Sequence, residues 1–547
     1  MQNSFQLNRG INLKSSNTNL GIWNIYFIIK LILVVNGVIE LNFLKNIAFI
    51  AFLLMPLENK NMVTLRQVLA IPLACLLFYE DSYLPPIWHL FTQFEQITKF
   101  DTSYLFELLT RFVSLNFVLI VFVSAVFYVI FYKTLRVTVL VIAGMTLLQI
   151  THTPHSPPAI SNETQPIASA NKPLRENSTA LSENEQLNNY KNEFFKKQAP
   201  LNISFREDLQ NDVKFDILAL SICSLSWEDI KNFNLENHKL FNEFDILFEN
   251  FNSATSYSGP ALVRFLQANC GQKPHLEIMS RPSDQKCYLL NNLKKLGFNT
   301  ELILNHSGLF DNFTSLVQER GEVDVNPTRY NSKPYLVSFD KSRIQRDKDI
   351  FSQWLQNRDK GVTDKTFTLY NTVSLHDGNH FENNMEIMSS ETYGKRLITL
   401  LDDLYEVIEG LKKSNRPIVV LLIPEHGVNI KGDNMQIAGM RDLPSPGITN
   451  VPVGLKIIGN NIHRVGEQKL FTQQSSYLAI AHLINQLLEQ DIFSKNEFDP
   501  ESLLMNIPET PVLSENMLSE NDGSIVMQYQ NNYYYSFNNG EWTGYNQ

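Results

Sequence analysis

Hydrophobicity is distributed unevenly along this chain, and that constrains its fold more than any other feature. The first 150 residues are rich in Leu, Ile, Val and Phe with few charges, whereas the rest reads as an ordinary soluble protein. Five apolar runs are legible: Leu20–Val38, Leu41–Leu57, Val63–Phe78, Phe112–Tyr132 and Leu135–Ile150. A bilayer core takes about 20 apolar residues per helix, with about 17 as the lower limit. The first and fourth runs meet this, and the others lie near the limit, so the expected count is about five, or four. Buried helices of a soluble protein compete as an explanation. So many runs side by side with so few charges favour the membrane. A secretory signal does not fit, because a second run follows the first directly with no small-residue cleavage site.

Charge in the connecting loops sets an orientation. With the N-terminus inside, Arg9, Lys14, Lys60, Arg66, Lys133 and Arg136 all fall on the cytoplasmic side. The loop from Glu80 to Arg111, with five acidic residues, falls outside. That is the bias expected of short cytoplasmic loops. Five crossings then put the C-terminal part outside the cytoplasm. A net charge of −10, without a basic stripe, excludes electrostatic nucleic-acid binding.

Composition divides the 547 residues into three parts. Residues 1–152 are expected to form the transmembrane region. Residues 153–205, rich in Ser, Asn, Glu, Pro and Thr, read as a flexible tether with a short helix near Glu183–Lys197. Residues 206–547 read as a soluble α/β domain. Its β-rich runs are Lys214–Cys223, Thr300–Leu304, Tyr335–Phe339, Thr366–Leu375, Ile418–Ile423 and Val451–Ile458. Helical patterns lie between them, at Cys287–Leu296, Tyr393–Lys413 and Gln473–Gln490. Such alternation predicts a mostly parallel central sheet covered on both faces. The tail Ser524–Trp542 is expected to pack as a hairpin.

Ligands of such sheets bind at the carboxyl ends of the strands. Cys223 closes the first strand, His376 and His380 follow the fourth, and Glu425 and His426 follow the fifth. Thiolate, imidazole and carboxylate are zinc-type ligands. Each alone is more often structural, but three such ends converge by topology. Ser258 opens a helix over Ala261–Asn269, at its N-cap position. Capping competes there with a role as a nucleophile, in which the helix N-terminus and a cation would stabilise an alkoxide. Cys270 and Cys287 would pair if the domain faces an oxidising compartment.

Segments Leu20–Tyr26, Asn252–Pro260, Leu375–His380, Pro424–Gly427 and Arg441–Pro446 occur in the order in which they mark one family. At these blocks the chain resembles the BcsG family of bacterial cellulose biosynthesis proteins, which are membrane-bound phosphoethanolamine transferases. The resemblance implies an alkaline-phosphatase/sulfatase-like outer domain. It implies phosphatidylethanolamine as donor, cellulose as acceptor, subunits of the cellulose synthase complex as partners, and a multi-pass inner-membrane location with a periplasmic catalytic domain. It implies Zn2+ held by Cys223, Glu425 and His426, with Ser258 as nucleophile and metal neighbour. His376 or His380, and Arg441, would join the site, and Cys270–Cys287 would be a disulfide. A hydrolase of the same fold and a non-catalytic scaffold remain as alternatives.

Overall fold

The computed structural model describes residues 19–36, 39, 41–57, 59–82, 98, 100–112, 115–132, 134–151, 182–207, 214–358, 365–384, 388–414, 416–433, 435–507 and 518–545. The chain forms two compact units, one of Met1–His89 with Thr110–Ser178 and one of Leu90–Leu109 with Thr179–Gln547.

In the smaller unit each apolar run makes a helix: Trp23–Val35, Phe43–Leu54, Lys60–Glu80, Leu115–Phe131 and Val137–Thr151. Among the described residues only Lys60–Glu80, with 21 residues, is long and apolar enough to cross a membrane. The first run, expected to span comfortably, forms a helix of 13 residues. That is about 20 Å at 1.5 Å per residue, short of a core of about 30 Å. The helix begins only after Gly21, whose φ of +59° lies outside helical conformation. The third run is lengthened instead, because Asn59 accepts from Asn61 N and starts the helix among polar residues. One cation inside the first run finds a local partner. Lys30 lies 2.5 Å from Asp81, with both side chains buried, and donates to Asn46. Pairing is what makes such a charge tolerable in an apolar setting.

The larger unit is built on a seven-stranded sheet. Its order is Lys469–Phe471, Ile246–Phe248, Val453–Ile458, Ile418–Pro424, Asp216–Ile222, Thr366–Thr372 and Asn299–Leu304. Only Val453–Ile458 runs against its neighbours, so the sheet is mixed but mostly parallel. All seven residues of Asp216–Ile222 are buried. Ile217 and Ala219 join one core, Leu218 and Leu220 the other. A parallel strand covered on both faces needs this continuous apolar run.

Tyr335–Phe339 departs from expectation. Pro334–Val337 pairs with Arg343–Gln345 and His380–Phe381 in a separate three-stranded sheet. The turn between the first two is short, and Asp340 accepts from Ser342 N. A connection this short can only return the chain antiparallel. The tail makes more than a hairpin: Leu518–Asn521, Ser524–Tyr529, Asn532–Phe537 and Thr543–Tyr545 form a four-stranded antiparallel sheet. Helix Glu183–Gln198, inside the expected tether, packs Leu187 and Phe194 against Ile525 and Met527 of that sheet. Residues 153–181 of the tether lie outside the described residues.

Cys270 and Cys287 form a disulfide across 17 residues of sequence. A loop of that size stabilises mainly by restricting the unfolded chain. The double replacement Cys270→Ser/Cys287→Ser is expected to cost about 3 kcal/mol. Thermal unfolding of the two proteins, without reductant, checks this.

Candidate active site

Parallel strands bring their carboxyl ends to one edge, and two of them supply the buried trio: Cys223 follows Asp216–Ile222, and Glu425 and His426 follow Ile418–Pro424. The ligand-type atoms of these residues lie within 4.8 Å of one another. Glu425 N donates to Ile222 O and Cys223 N to Thr372 O, so the strand ladders set the spacing. Glu425 Oε1 accepts from Ser221 Oγ at 2.7 Å and from Asn371 Nδ2. Its Oε2 is buried and makes no hydrogen bond. His426 Nδ1 lies 2.8 Å from Gly427 O, which fixes Nδ1 as the donor and leaves Nε2 its lone pair.

Ser258 is the first residue of helix Ser258–Leu266 and not its N-cap, which is Tyr257. No side-chain cap is made there. The hydroxyl instead lies 3.2 Å from Cys223 Sγ and 3.1 Å from His426 Nε2. The competing explanation, capping, therefore does not apply. The loop before it is strained: Ala254 has φ +61°. A non-glycine residue there costs about 1–2 kcal/mol. Asn252 Oδ1 and Glu520 N hold that residue in place through its N–H and carbonyl.

Burial governs the electrostatics. It pushes the Cys223 thiol up to about 11, with Glu425 adding to the shift, and the Glu425 carboxyl up to about 7 against neighbouring hydroxyls and Arg441. Burial first and Arg441 second hold His426 well below the usual imidazole range. A buried thiol, imidazole and orphaned carboxylate oxygen are a donor set suited to zinc. These residues could hold such an ion.

Arg441 Nη1 lies 3.1 and 3.3 Å from the two nitrogens of His426, and its guanidinium covers the Tyr257 ring at 5.8 Å. His376 and His380 are separated by the fold. Burial and Arg441 push His376 down to about 4. His380 sits instead in the three-stranded sheet, 4.0 Å from Glu107.

The sequence reading missed the residues that hold this set. Asn371 Nδ2 donates to both Glu425 and Ser221, and its Oδ1 accepts from His306 Nε2 at 2.9 Å. Asn521, in the terminal sheet, accepts from Thr255 and Ser256 N and donates to Arg441 O at 3.1 Å. An Asn inside the apolar run Thr366–Leu375 was the one visible signal. Nothing local marks Asn521.

Two changes probe this framework. A Cβ on Gly427 would come within 2.5 Å of Ser226 Oγ and 2.7 Å of Asp229 Oδ2. Both are fixed by the capping box of helix Trp227–Asn232. Gly427→Ala is expected to cost about 1–3 kcal/mol and to lower turnover more than about tenfold by moving His426, read by unfolding and by rate. Asp229 itself is pushed up to about 6 by burial. Its folded value lies above its unfolded one, so the fold binds more protons and loses stability as pH rises from about 4 to about 6. Asp229→Asn should flatten that slope in denaturation at several pH values.

Family models described as the cellulose biosynthesis protein BcsG N-terminal and C-terminal domains match residues 23–150 and 171–542. Cellulose biosynthesis protein BcsG of Escherichia coli (strain K12) is 35% identical over 548 residues, covering 96% of each chain. Among solved structures, an alkaline phosphatase superfamily protein from Vibrio parahaemolyticus is similar with a TM-score of 0.43 and 15% identity, covering 65% of this chain and 87% of its own. The C-terminal periplasmic domain of EcEptC from Escherichia coli is similar with a TM-score of 0.38 and 13% identity, covering 59% and 93%. With both regions matched and more than a third of positions identical along nearly its whole length, the chain belongs to the cellulose biosynthesis protein BcsG family.

Proposed function

We propose that the chain is a zinc-dependent phosphoethanolamine transferase that moves phosphoethanolamine from phosphatidylethanolamine to the glucosyl 6-hydroxyl of nascent cellulose. The observation that carries this is the Ser258 hydroxyl, 3.2 Å from Cys223 Sγ and 3.1 Å from His426 Nε2 at the start of a helix. Family membership supplies the cellulose context and the sequence blocks supply the donor.

Cys223, Glu425 and His426 would hold a zinc ion, whose positive charge would lower the pKa of the neighbouring hydroxyl. Ser258 Oγ attacks the lipid phosphorus, its bond to phosphorus forms, and the bond to the glycerol oxygen breaks. The serine proton leaves with the departing diacylglycerol. Arg441 and the first-turn amides of the Ser258–Leu266 helix stabilise the anionic phosphoryl group. His376 is neutral, with Nδ1 2.6 Å from Asp377 O, so Nε2 is left to accept a proton. It takes the proton of the acceptor hydroxyl as that oxygen attacks phosphorus; the Ser258 Oγ–phosphorus bond breaks, and the proton passes to the released Ser258 oxygen.

The apolar helices anchor the protein as a multi-pass inner-membrane chain, with the residues before helix Glu183–Gln198 as tether and the larger unit catalysing in the periplasm. The loop charges and the Cys270–Cys287 disulfide support that side of the membrane. Synthase subunits are its neighbours. The test is product analysis with the full chain, phosphatidylethanolamine vesicles and glucan. Phosphoethanolamine esterified to glucan, abolished by chelation and restored by zinc, is expected. Free phosphoethanolamine as sole product would make it a hydrolase, and activity indifferent to chelators would remove the metal.

A further inference from the structure

Residues 98–112 follow the Lys60–Glu80 helix and precede the Leu115–Phe131 helix in sequence, yet Leu90–Leu109 groups with the larger unit. Helix Thr102–Phe112 explains why. The Glu107 carboxylate accepts from Ser389 N at 3.0 Å and from Ser390 N at 3.4 Å. These are the first amides of helix Ser389–Lys413, whose own N-cap, Met388, supplies no side-chain bond. First-turn amides have no partner within their helix, and a carboxylate there also meets the positive end of the dipole. The cap of this 25-residue helix therefore comes from 282 residues away.

The same segment grips the turn that carries His376. Tyr104 OH donates to Asp377 Oδ2 at 3.1 Å. Ser389 Oγ lies 2.8 Å from Glu107 Oε1 and 3.1 Å from Asp377 Oδ1, and accepts from Gly378 N at 3.0 Å. Gly378 has φ +80°, and a Cβ there would strike Phe339 Cβ at 2.7 Å and Tyr104 at 2.8 Å. The His376 ring lies on Phe339 with centroids 4.7 Å apart. Phe339 is in turn packed by Phe100 at 5.3 Å, and its carbonyl accepts from Asp101 N at 2.8 Å. The His376 carbonyl is held by Arg396 Nη1 at 3.1 Å, while the floor under its ring and the turn that follows it are both braced from this one segment.

We infer that Tyr104 and Glu107 are positioning residues that act through His376, so the stretch between two apolar helices completes the active site of the soluble domain. This rests on the proposed role of His376. Neither residue touches the reacting atoms. Each restricts where the imidazole can sit, and a misplacement of about 1 Å can cost on the order of 100-fold in rate.

The test uses the full chain and a soluble chromogenic phosphoethanolamine ester, with kcat, KM and zinc content measured for Tyr104→Phe, Glu107→Gln, His376→Ala and the double variants. Tyr104→Phe removes one hydroxyl and keeps the ring, so it guards against a protein that simply fails to fold. The expected result is a fall in kcat of about tenfold in each single positioning variant, with KM and zinc content unchanged. In the His376→Ala background the same changes should have no further effect, because coupled residues are not additive. Amide deuterium exchange should rise in residues 374–392 and nowhere else in the domain. An unchanged kcat, an additive effect in the double variants, or zinc loss matching the rate loss would each overturn the inference. If His376→Ala itself keeps full kcat, the role of that histidine falls, and the inference with it. If His376→Ala is impaired while Tyr104→Phe is not, only the inference falls.

Discussion

Ser258→Ala is expected to leave a folded, zinc-loaded protein that transfers phosphoethanolamine at least about 10⁴-fold more slowly than the parent. Loss of an activated hydroxyl nucleophile typically removes that much rate, because water or the acceptor must then attack unaided. A stability loss of comparable size is not expected. The hydroxyl caps nothing, and its helix starts equally well with alanine, the best helix former. Rate and fold therefore separate cleanly at this position. The decisive measurement is covalent labelling. Wild-type protein quenched after mixing with headgroup-labelled phosphatidylethanolamine should carry label on the peptide containing Ser258, and the alanine variant none. Equal labelling of the variant would sink the assignment of the nucleophile.

Glu425→Gln should be the second large change, and its primary readout is metal content. Glutamine keeps the shape of the side chain and an acceptor for Ser221 and Asn371. It replaces the orphaned Oε2 with an amide whose hydrogens face the cation position. Outer-shell changes at such sites cost about 10- to 100-fold in metal affinity, and losing a ligand costs more. Bound zinc should fall well below one per chain after dialysis, and activity with it. Folding should survive, because the substitution removes a carboxyl that burial already disfavours when charged. A variant that retains stoichiometric zinc would show that the carboxylate is not a ligand.

How much of this could be read from residues alone differs from place to place. The ends of the Asp216–Ile222 and Ile418–Pro424 strands were legible because continuous burial leaves an unbroken apolar run, and a polar residue ending it stands out. Cys223, Glu425 and His426 were found that way. Ser258 was found as the start of a helix, but only the fold shows its hydroxyl turned from the helix toward Cys223 and His426. His376 and His380 could not be told apart, since four residues in a turn can face any direction until their strand partners are known. Val337 is the partner that draws His380 into another sheet. Lys30 was hidden in its apolar run because its partner, Asp81, lies beyond the third one. Asn521 was beyond reach altogether, since its partners Ser256 and Arg441 are remote in sequence.

Asn521 also has a consequence for the order in which the protein comes into being. It ties the serine loop to the arginine loop from the first strand of the last sheet in the chain. Synthesis runs from the N-terminus, so the serine, the thiol and the imidazole all emerge before the residue that clasps them. A partly made chain holds every reactive group and lacks the clasp. The set is clasped only once the strand Leu518–Asn521 has been made and folded, long after the groups it holds.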